Sequence, residues 1–347
     1  MSEKHPDPAS KPKKAPSIPR PSASVLLLSP QNEVLLLHRV QTSSSFPSAH
    51  VFPGGNVSAF HDGAAPEPSD PARHQDSETY RLAAIRETFE ESGILLARDD
   101  SGKLLEVGSA EREEARRRIH NGKVKFTDWL VEKRARSDTE NLIPFTRWVT
   151  PTNVPRRFTT QMYIYLLPLP ASTEPSAAAA TLSSFPSTSE TVIPTPTHDG
   201  GVEHTAARFL PPADWLSMAR KGDIILFPPQ FFLLWLVESC FRGTSTPQEA
   251  RKALEEFVGQ ERETSWADMC ISPTLLMKRK GDGRAVLGLD KPGPELEGMA
   301  RRGDRERVVL VRFGKEGPRE VEVAWRRDVM EEEREGTEGK GKEKEKL

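Results

Sequence analysis

Three carboxylates, Glu87, Glu90 and Glu91, fall at i, i+3 and i+4 within the stretch Glu78-Thr-Tyr-Arg-Leu-Ala-Ala-Ile-Arg86-Glu87-Thr-Phe-Glu90-Glu91-Ser-Gly93-Ile94. At about 100° per residue they share one stripe of a helix. Carboxylates this close repel one another. The cost is modest if the stripe is solvated, and it turns into a gain if a hard cation sits between them. Mg²⁺ suits such a stripe, because it takes carboxylate oxygens and shares its shell with substrate phosphates. Arg86 lies beside the stripe, and a guanidinium can grip a carboxylate at two points. Taken alone, Glu-x-x-Glu-Glu also fits an acidic, solvated helix face.

The elements that must position these residues are legible nearby. Leu82, Ile85 and Phe89 recur at three and four residues and mark the buried face of the same helix. Asp76 or Ser77 can cap its start, and Gly93 suits the left-handed position at its end. Val51-Phe52-Pro53-Gly54-Gly55 stands upstream. Before it, Ala23 to Leu28 and Val34 to Leu37 are β-prone runs around the turn Ser29-Pro30-Gln31-Asn32, which predicts a hairpin.

The spacing of Glu78, Arg86-Glu87, Glu90-Glu91, Gly93 and Ile94, with Gly54-Gly55 upstream, resembles the signature box of the Nudix hydrolases. The resemblance implies an α/β fold, a Nudix α/β/α sandwich with a mixed β-sheet and the box helix at a metal site. It gives Glu87, Glu90 and Glu91 to Mg²⁺ or Mn²⁺, with the Gly55 carbonyl as a further ligand. Arg86 and Glu87 would be catalytic, and Glu78, Gly54 and Gly93 supporting. In many relatives a Glu before a late strand adds a ligand or the general base; Glu203 stands where that likeness puts it. The implied reaction is attack by metal-activated water on a diphosphate joining a nucleoside to another group. The surroundings, including Trp148 to Pro151, Pro155-Arg156-Arg157-Phe158 and Pro228-Pro229-Gln230-Phe231, are similar to the acyl-coenzyme A diphosphatase branch over roughly 22–241. That branch cleaves coenzyme A and its esters to 3′,5′-ADP and a phosphopantetheine product, typically in the peroxisome or mitochondrion. Arg39, Arg156 and Arg157 are the candidate phosphate clamp. The alternatives are another Nudix substrate, such as ADP-ribose, a dinucleotide or an oxidised nucleotide, and a non-catalytic nucleotide- or partner-binding module.

The box departs from the family pattern in one place. Between Gly55 and Glu78 lie 22 residues, where the family has about five. Residues 56–77 read as a surface loop, with turn chemistry at His61-Asp62-Gly63 and Pro66-Glu67-Pro68-Ser69. His61, Asp62 and His74 are expected to be solvated there, although they could approach the metal.

Composition bounds the rest. The chain has 347 residues, 36% hydrophobic, with 30 prolines, so part of it is expected outside any packed core. A net charge of −2 gives no electrostatic case for nucleic acid or anionic membrane. Cys240 and Cys270 form no disulfide framework or zinc set. No run is apolar and long enough to span a bilayer and no signal peptide is read, so a soluble intracellular enzyme acting on a small nucleotide is expected. The expected organisation is a disordered arm over 1–21, a Nudix domain over 22–241 with inserts 56–77 and 168–200, a small α+β extension over 246–330, and a charged disordered tail over 331–347. The 168–200 insert is Ala/Ser/Thr/Pro-rich and reads as disordered. Ala110 to His120 reads as a charged, solvated helix. Oligomeric state is not fixed by the sequence.

Overall fold

The computed structural model describes residues 15–39, 48–169 and 204–344. Glu203 and most of the 168–200 insert lie outside the described residues. Strands β1 (Arg20–Leu28) and β2 (Val34–Arg39) form the expected hairpin. Its turn is held by Ser29, whose Oγ accepts from the backbone N–H groups of Gln31 and Glu33, while Asn32 takes the left-handed conformation that Asn tolerates. The strands pair only at Leu28 and Val34 and then diverge. β1 runs parallel to β8 (Phe158–Leu166) from Arg20↔Phe158 to Leu28↔Leu166. It also pairs antiparallel with β4 (Gly54–Asn56), Ala23 opposite Gly55. β2 pairs with β3 (His50–Val51) and β9 (His204–Leu210). β7 (Ile143–Val149) and β10 (Cys270–Ile271) extend the other side, giving a mixed eight-stranded sheet in the order β10-β7-β8-β1-β2-β3.

Side-chain alternation explains why the central strands are apolar without interruption. Ala23, Val25 and Leu27 enter one core, with α1 (Glu78–Ser92), α2 (Ser109–His120) and α3 (Phe126–Glu132). Leu26 and Leu28 enter the other, with α4 (Pro212–Lys221) and α5 (Pro228–Phe241). A sheet buried on both faces needs apolar residues at both parities. This is the expected α/β/α sandwich. A short two-stranded antiparallel sheet, β5 (Ala97–Asp99) with β6 (Ala135–Ser137), lies beside α3.

The C-terminal region forms an antiparallel sheet, β11 (Thr274–Lys278), β12 (Ala285–Leu289), β13 (Asp304–Gly314) and β14 (Gly317–Trp325). Its Leu287, Leu289, Val309, Val311 and Val321 join the same core as Trp215, Phe231 and Phe232. Helix α6 (Pro247–Val258), capped by the Thr246 hydroxyl, precedes it. The last helix, α7 (Arg326–Lys344), runs through residues expected to form a charged tail without fixed structure. Among the described residues no helix is long and apolar enough to cross a membrane.

Candidate functional site

Helix α1 begins after Ser77, whose backbone is extended and whose side chain makes no cap bond. It ends at Gly93, at φ 76°, whose N–H reaches the Phe89 carbonyl. A side chain at that φ would be strained, so glycine sets the boundary. The last turns carry the carboxylates to the Gly-Gly strand β4. Glu91 Oε2 accepts from the Gly54 N–H at 2.8 Å. Gly54 has φ 153°, and a Cβ there would lie 2.3 Å from the Ala23 carbonyl. A Cβ on Gly55 would lie 2.5 Å from the Glu87 carboxyl carbon. The two glycines are therefore needed for different reasons, one to let β4 lie against β1 and the other to admit a carboxylate.

Arg86 organises the site. Its Nε and Nη2 grip Asp62 at 2.9 and 2.8 Å, Nη2 also donates to the Asn56 carbonyl at 2.9 Å, and Nη1 meets Glu90 at 2.8 Å and Glu87 at 2.9 Å. The two-point grip expected of Arg86 thus falls on Asp62, in the insert. The Asp62 side chain is fully buried and that of Arg86 is 4% exposed. This corrects the expectation of solvated loop residues. His61 and His74 are buried too: His61 Nδ1 accepts from the Phe126 N–H, and His74 lies 3.0 Å from the Thr159 hydroxyl. Burial, then Arg147, pushes the His74 imidazole down to about 4, so it sits neutral. The far end of the insert is tied down by Arg147, fully buried, which donates to the Gln75 carbonyl at 2.8 Å and lies over the Tyr80 ring at 4.4 Å. Other parts of the insert are exposed, among them Phe60 at 52% and residues 67–71.

The carboxylates are electrostatically distinct. Desolvation pushes Glu87 up to about 7, with Glu90 and Asp62 adding to the rise against the pull of Arg86. Burial also opposes charge on Glu90, but bonds from His120 and Arg86 hold it below the usual carboxylate range. His120 Nδ1 lies 3.1 Å from Glu90 Oε2. Among the described residues no three His, Cys, Asp or Glu side chains converge on a single point; Arg86 draws Glu87 and Glu90 to itself. The donor set is nonetheless all oxygen, and Glu87 is a desolvated carboxylate crowded by others, which is the chemistry a hard divalent cation relieves. The residues fit Mg²⁺ or Mn²⁺.

The other expected site residues fall as follows. Gly54, Gly55 and Gly93 are at the site. Glu78 is not: nine residues of helix, about 14 Å, separate it from Glu87, and it lines a pocket of about 400 Å³ with Leu82, Arg98, Leu130 and Ser137. Arg157 is a second correction. Its side chain is 1% exposed and paired with Glu295, and it donates to the Thr150 and Ser17 carbonyls at 2.9 Å, so it clamps the chain rather than a substrate. Arg156 is exposed in the turn before β8, and Arg39 ends β2 opposite His204. Sequence reasoning read α2 as a solvated helix and missed its contact with the site. Arg116 donates from Nε and Nη2 to the Glu90 carbonyl at 3.0 and 2.7 Å, closing the end of α1. The signal was present: Arg112, Arg116 and His120 share one stripe at i, i+4 and i+8.

A mixed sheet between helical layers, with this box at the Gly-Gly strand, defines a Nudix protein, and the family described as the NUDT19 Nudix domain matches residues 66–236. The chain is similar to the Nudix hydrolase superfamily, and within it to the acyl-coenzyme A diphosphatase branch. A Caenorhabditis elegans relative carrying the nudix hydrolase 7 name is 32% identical over 149 residues, 43% of this chain and 44% of that protein. The acyl-coenzyme A diphosphatase NUDT19 of Xenopus laevis is 27% identical over 246 residues, 58% of each chain. The chain thus spans between 44% and 58% of the length of these two relatives. A crystal structure of a Nudix hydrolase from Alicyclobacillus acidocaldarius aligns with a TM-score of 0.46 and 22% identity, covering 64% of this chain and 92% of that one.

Proposed function

We propose that the protein is a divalent-metal-dependent diphosphatase whose substrate is coenzyme A or an acyl-coenzyme A, cleaved to 3′,5′-ADP and (acyl-)phosphopantetheine. The observation that carries this reading is that Glu91 and Glu87 lie against Gly54 and Gly55 while the buried Arg86 pairs with Glu87 and Glu90. The names of similar acyl-coenzyme A diphosphatases support the substrate class.

Glu87, Glu90 and Glu91, with the Gly55 carbonyl, would hold Mg²⁺ or Mn²⁺. When bound, the metal acidifies water and neutralises charge developing on the phosphoryl oxygens. The chain's own residues do the rest. Arg86 fixes the rotamers of Glu87 and Glu90 in advance, so little ordering remains to be done when substrate binds. Gly55 leaves room for the Glu87 carboxylate and for the close approach of a diphosphate. Arg116 fixes the end of α1 by bonding the Glu90 carbonyl. In the net reaction a P–O bond of the bridge breaks, a P–O bond to water forms, and the water's proton passes to a base; Glu203 is the proposed base.

The test is product analysis on coenzyme A, an acyl-coenzyme A, ADP-ribose, a dinucleotide and an oxidised nucleotide, each with Mg²⁺ and with Mn²⁺. The expected result is 3′,5′-ADP from coenzyme A species. Cleavage of ADP-ribose without cleavage of coenzyme A would remove the substrate assignment. No turnover of any compound would return the protein to a binding module. A peroxisomal or mitochondrial address is proposed on the same resemblance, and fluorescence of a tagged chain would check it.

A further inference from the structure

The cations of α2 are not equivalent. Arg116 is fully engaged, by the Glu90 carbonyl and by both oxygens of Glu113 at 3.0 Å. His120 lies against Glu90. Arg112 is different. Its Nε is buried yet has no acceptor among the described residues. The Glu113 carboxylate that faces it is 3.6 Å away, beyond hydrogen-bond reach, and is already shared with Arg116. The side chain remains 32% exposed. A buried donor without a partner carries a desolvation cost that an incoming anion would relieve.

Its position says which anion. Arg112 stands at the C-terminal end of α1, where a Cβ on Gly93 would lie 3.5 Å from its Nε. Gly93 is two residues beyond Glu91. This end of the helix carries the negative pole of the dipole together with three carboxylates, so it repels phosphates. A doubly anionic group can lie beside it only if a cation with free donors faces the group. A purely structural cap would bond the last carbonyls of α1, as Arg116 does. Arg112 keeps that capacity unspent.

We infer that Arg112 is a specificity-determining residue, binding a phosphate monoester that the substrate carries in addition to its diphosphate. The inference rests on the reading that the box cleaves a nucleoside diphosphate derivative, and it moves the phosphate clamp from the buried Arg157 to α2. For coenzyme A the group is the 3′-phosphate.

The test compares the full chain with Arg112→Ala and Arg112→Lys on coenzyme A and dephospho-coenzyme A, which lacks the 3′-phosphate. A charge-assisted contact of this kind is worth roughly 10- to 100-fold. Arg112→Ala should therefore lose at least about ten times more kcat/KM on coenzyme A than on dephospho-coenzyme A, mainly through KM. Arg112→Lys should recover part of the difference. Equal losses on the two substrates, or none, would overturn the assignment. Calorimetric titration with 3′,5′-ADP and with 5′-AMP gives a readout that needs no turnover. The wild type should prefer 3′,5′-ADP, and Arg112→Ala should abolish the preference. A chain that shows this preference but hydrolyses nothing would sink the proposed function and keep Arg112. A chain that hydrolyses coenzyme A without the preference would do the reverse.

Discussion

Glu87→Gln separates the electrostatic reading of the site from any general effect of mutation. In the metal-free protein the Glu87 carboxyl is raised from 4.5 to about 7, chiefly by desolvation. A raised carboxylate pKa means that the folded state holds a proton the unfolded state has lost between pH 4.5 and 7. The stability it contributes is therefore full below pH 4.5 and lost as pH rises through 7. At 1.36 kcal/mol per unit the loss is at most about 3 kcal/mol. Gln cannot ionise and lacks this slope, but it gives up the 2.9 Å ion pair to Arg86. The balance should leave Glu87→Gln about 1–2 kcal/mol more stable than wild type at pH 8, and equal or slightly weaker at pH 5. Urea unfolding in chelator across pH 5–8.5 measures the difference. Mg²⁺ should reverse its sign at pH 8, because a cation relieves the wild-type carboxylate and not the amide. Turnover should fall at least ~10²-fold. A stability difference that stays flat across this range would refute the argument, since it would show that Glu87 is not a strained carboxylate.

Other substitutions probe the neighbours. Gly55→Ala places a methyl where the Glu87 carboxylate lies; activity should drop at least ~10-fold with a near-wild-type melting curve, because an exposed-side rotamer can absorb the clash. Asp62→Asn leaves Arg86 buried with half its fork unmatched and should cost roughly 3 kcal/mol in urea unfolding, whereas a cost under ~0.5 kcal/mol would mean the pair is not buried in solution. Arg157→Ala strips Glu295 of its partner and should lower the melting temperature while changing coenzyme A and dephospho-coenzyme A turnover by the same factor; unequal losses would restore Arg157 to the substrate.

Local signals were read well and long-range ones poorly. The Gly93 end of α1, the hairpin turn at Ser29 to Asn32 and the Gly-Gly strand were visible because each depends on residues within a few positions, whereas the expected cap at Asp76 or Ser77 is not made. Asp62 was not, since its partner Arg86 is 24 residues away and an Asp in a Pro-rich stretch looks solvated. Arg157 and Arg156 are adjacent and identical in type, yet one is buried and the other exposed; only the fold distinguishes them. The α2 stripe was hidden by the opposite charges between its members, which made the whole helix look like surface. The apolar strands near the C-terminus were seen, but that they complete the core around Phe231 and Trp215 depends on packing the alternation does not encode.

The guanidinium of Arg86 also changes how the active region is held together. In the family box a short covalent link joins the glycines to the helix. Stretching that link from about five residues to the 22 seen here costs about 1.3 kcal/mol of closure entropy. Arg86 offsets it by fastening the first stretch of the loop, at the Asn56 carbonyl and the Asp62 carboxylate, to the helix itself. Residues 56–62 become a closed ring with a non-covalent clasp, and the chain beyond Gly63 no longer sets the distance between glycines and carboxylates. Covalent continuity and catalytic geometry are thereby uncoupled. The segment from Gly63 to the start of α1 answers instead to partners of its own, the buried His74 and the Arg147 bond to the Gln75 carbonyl, and a change there reaches the box only through them.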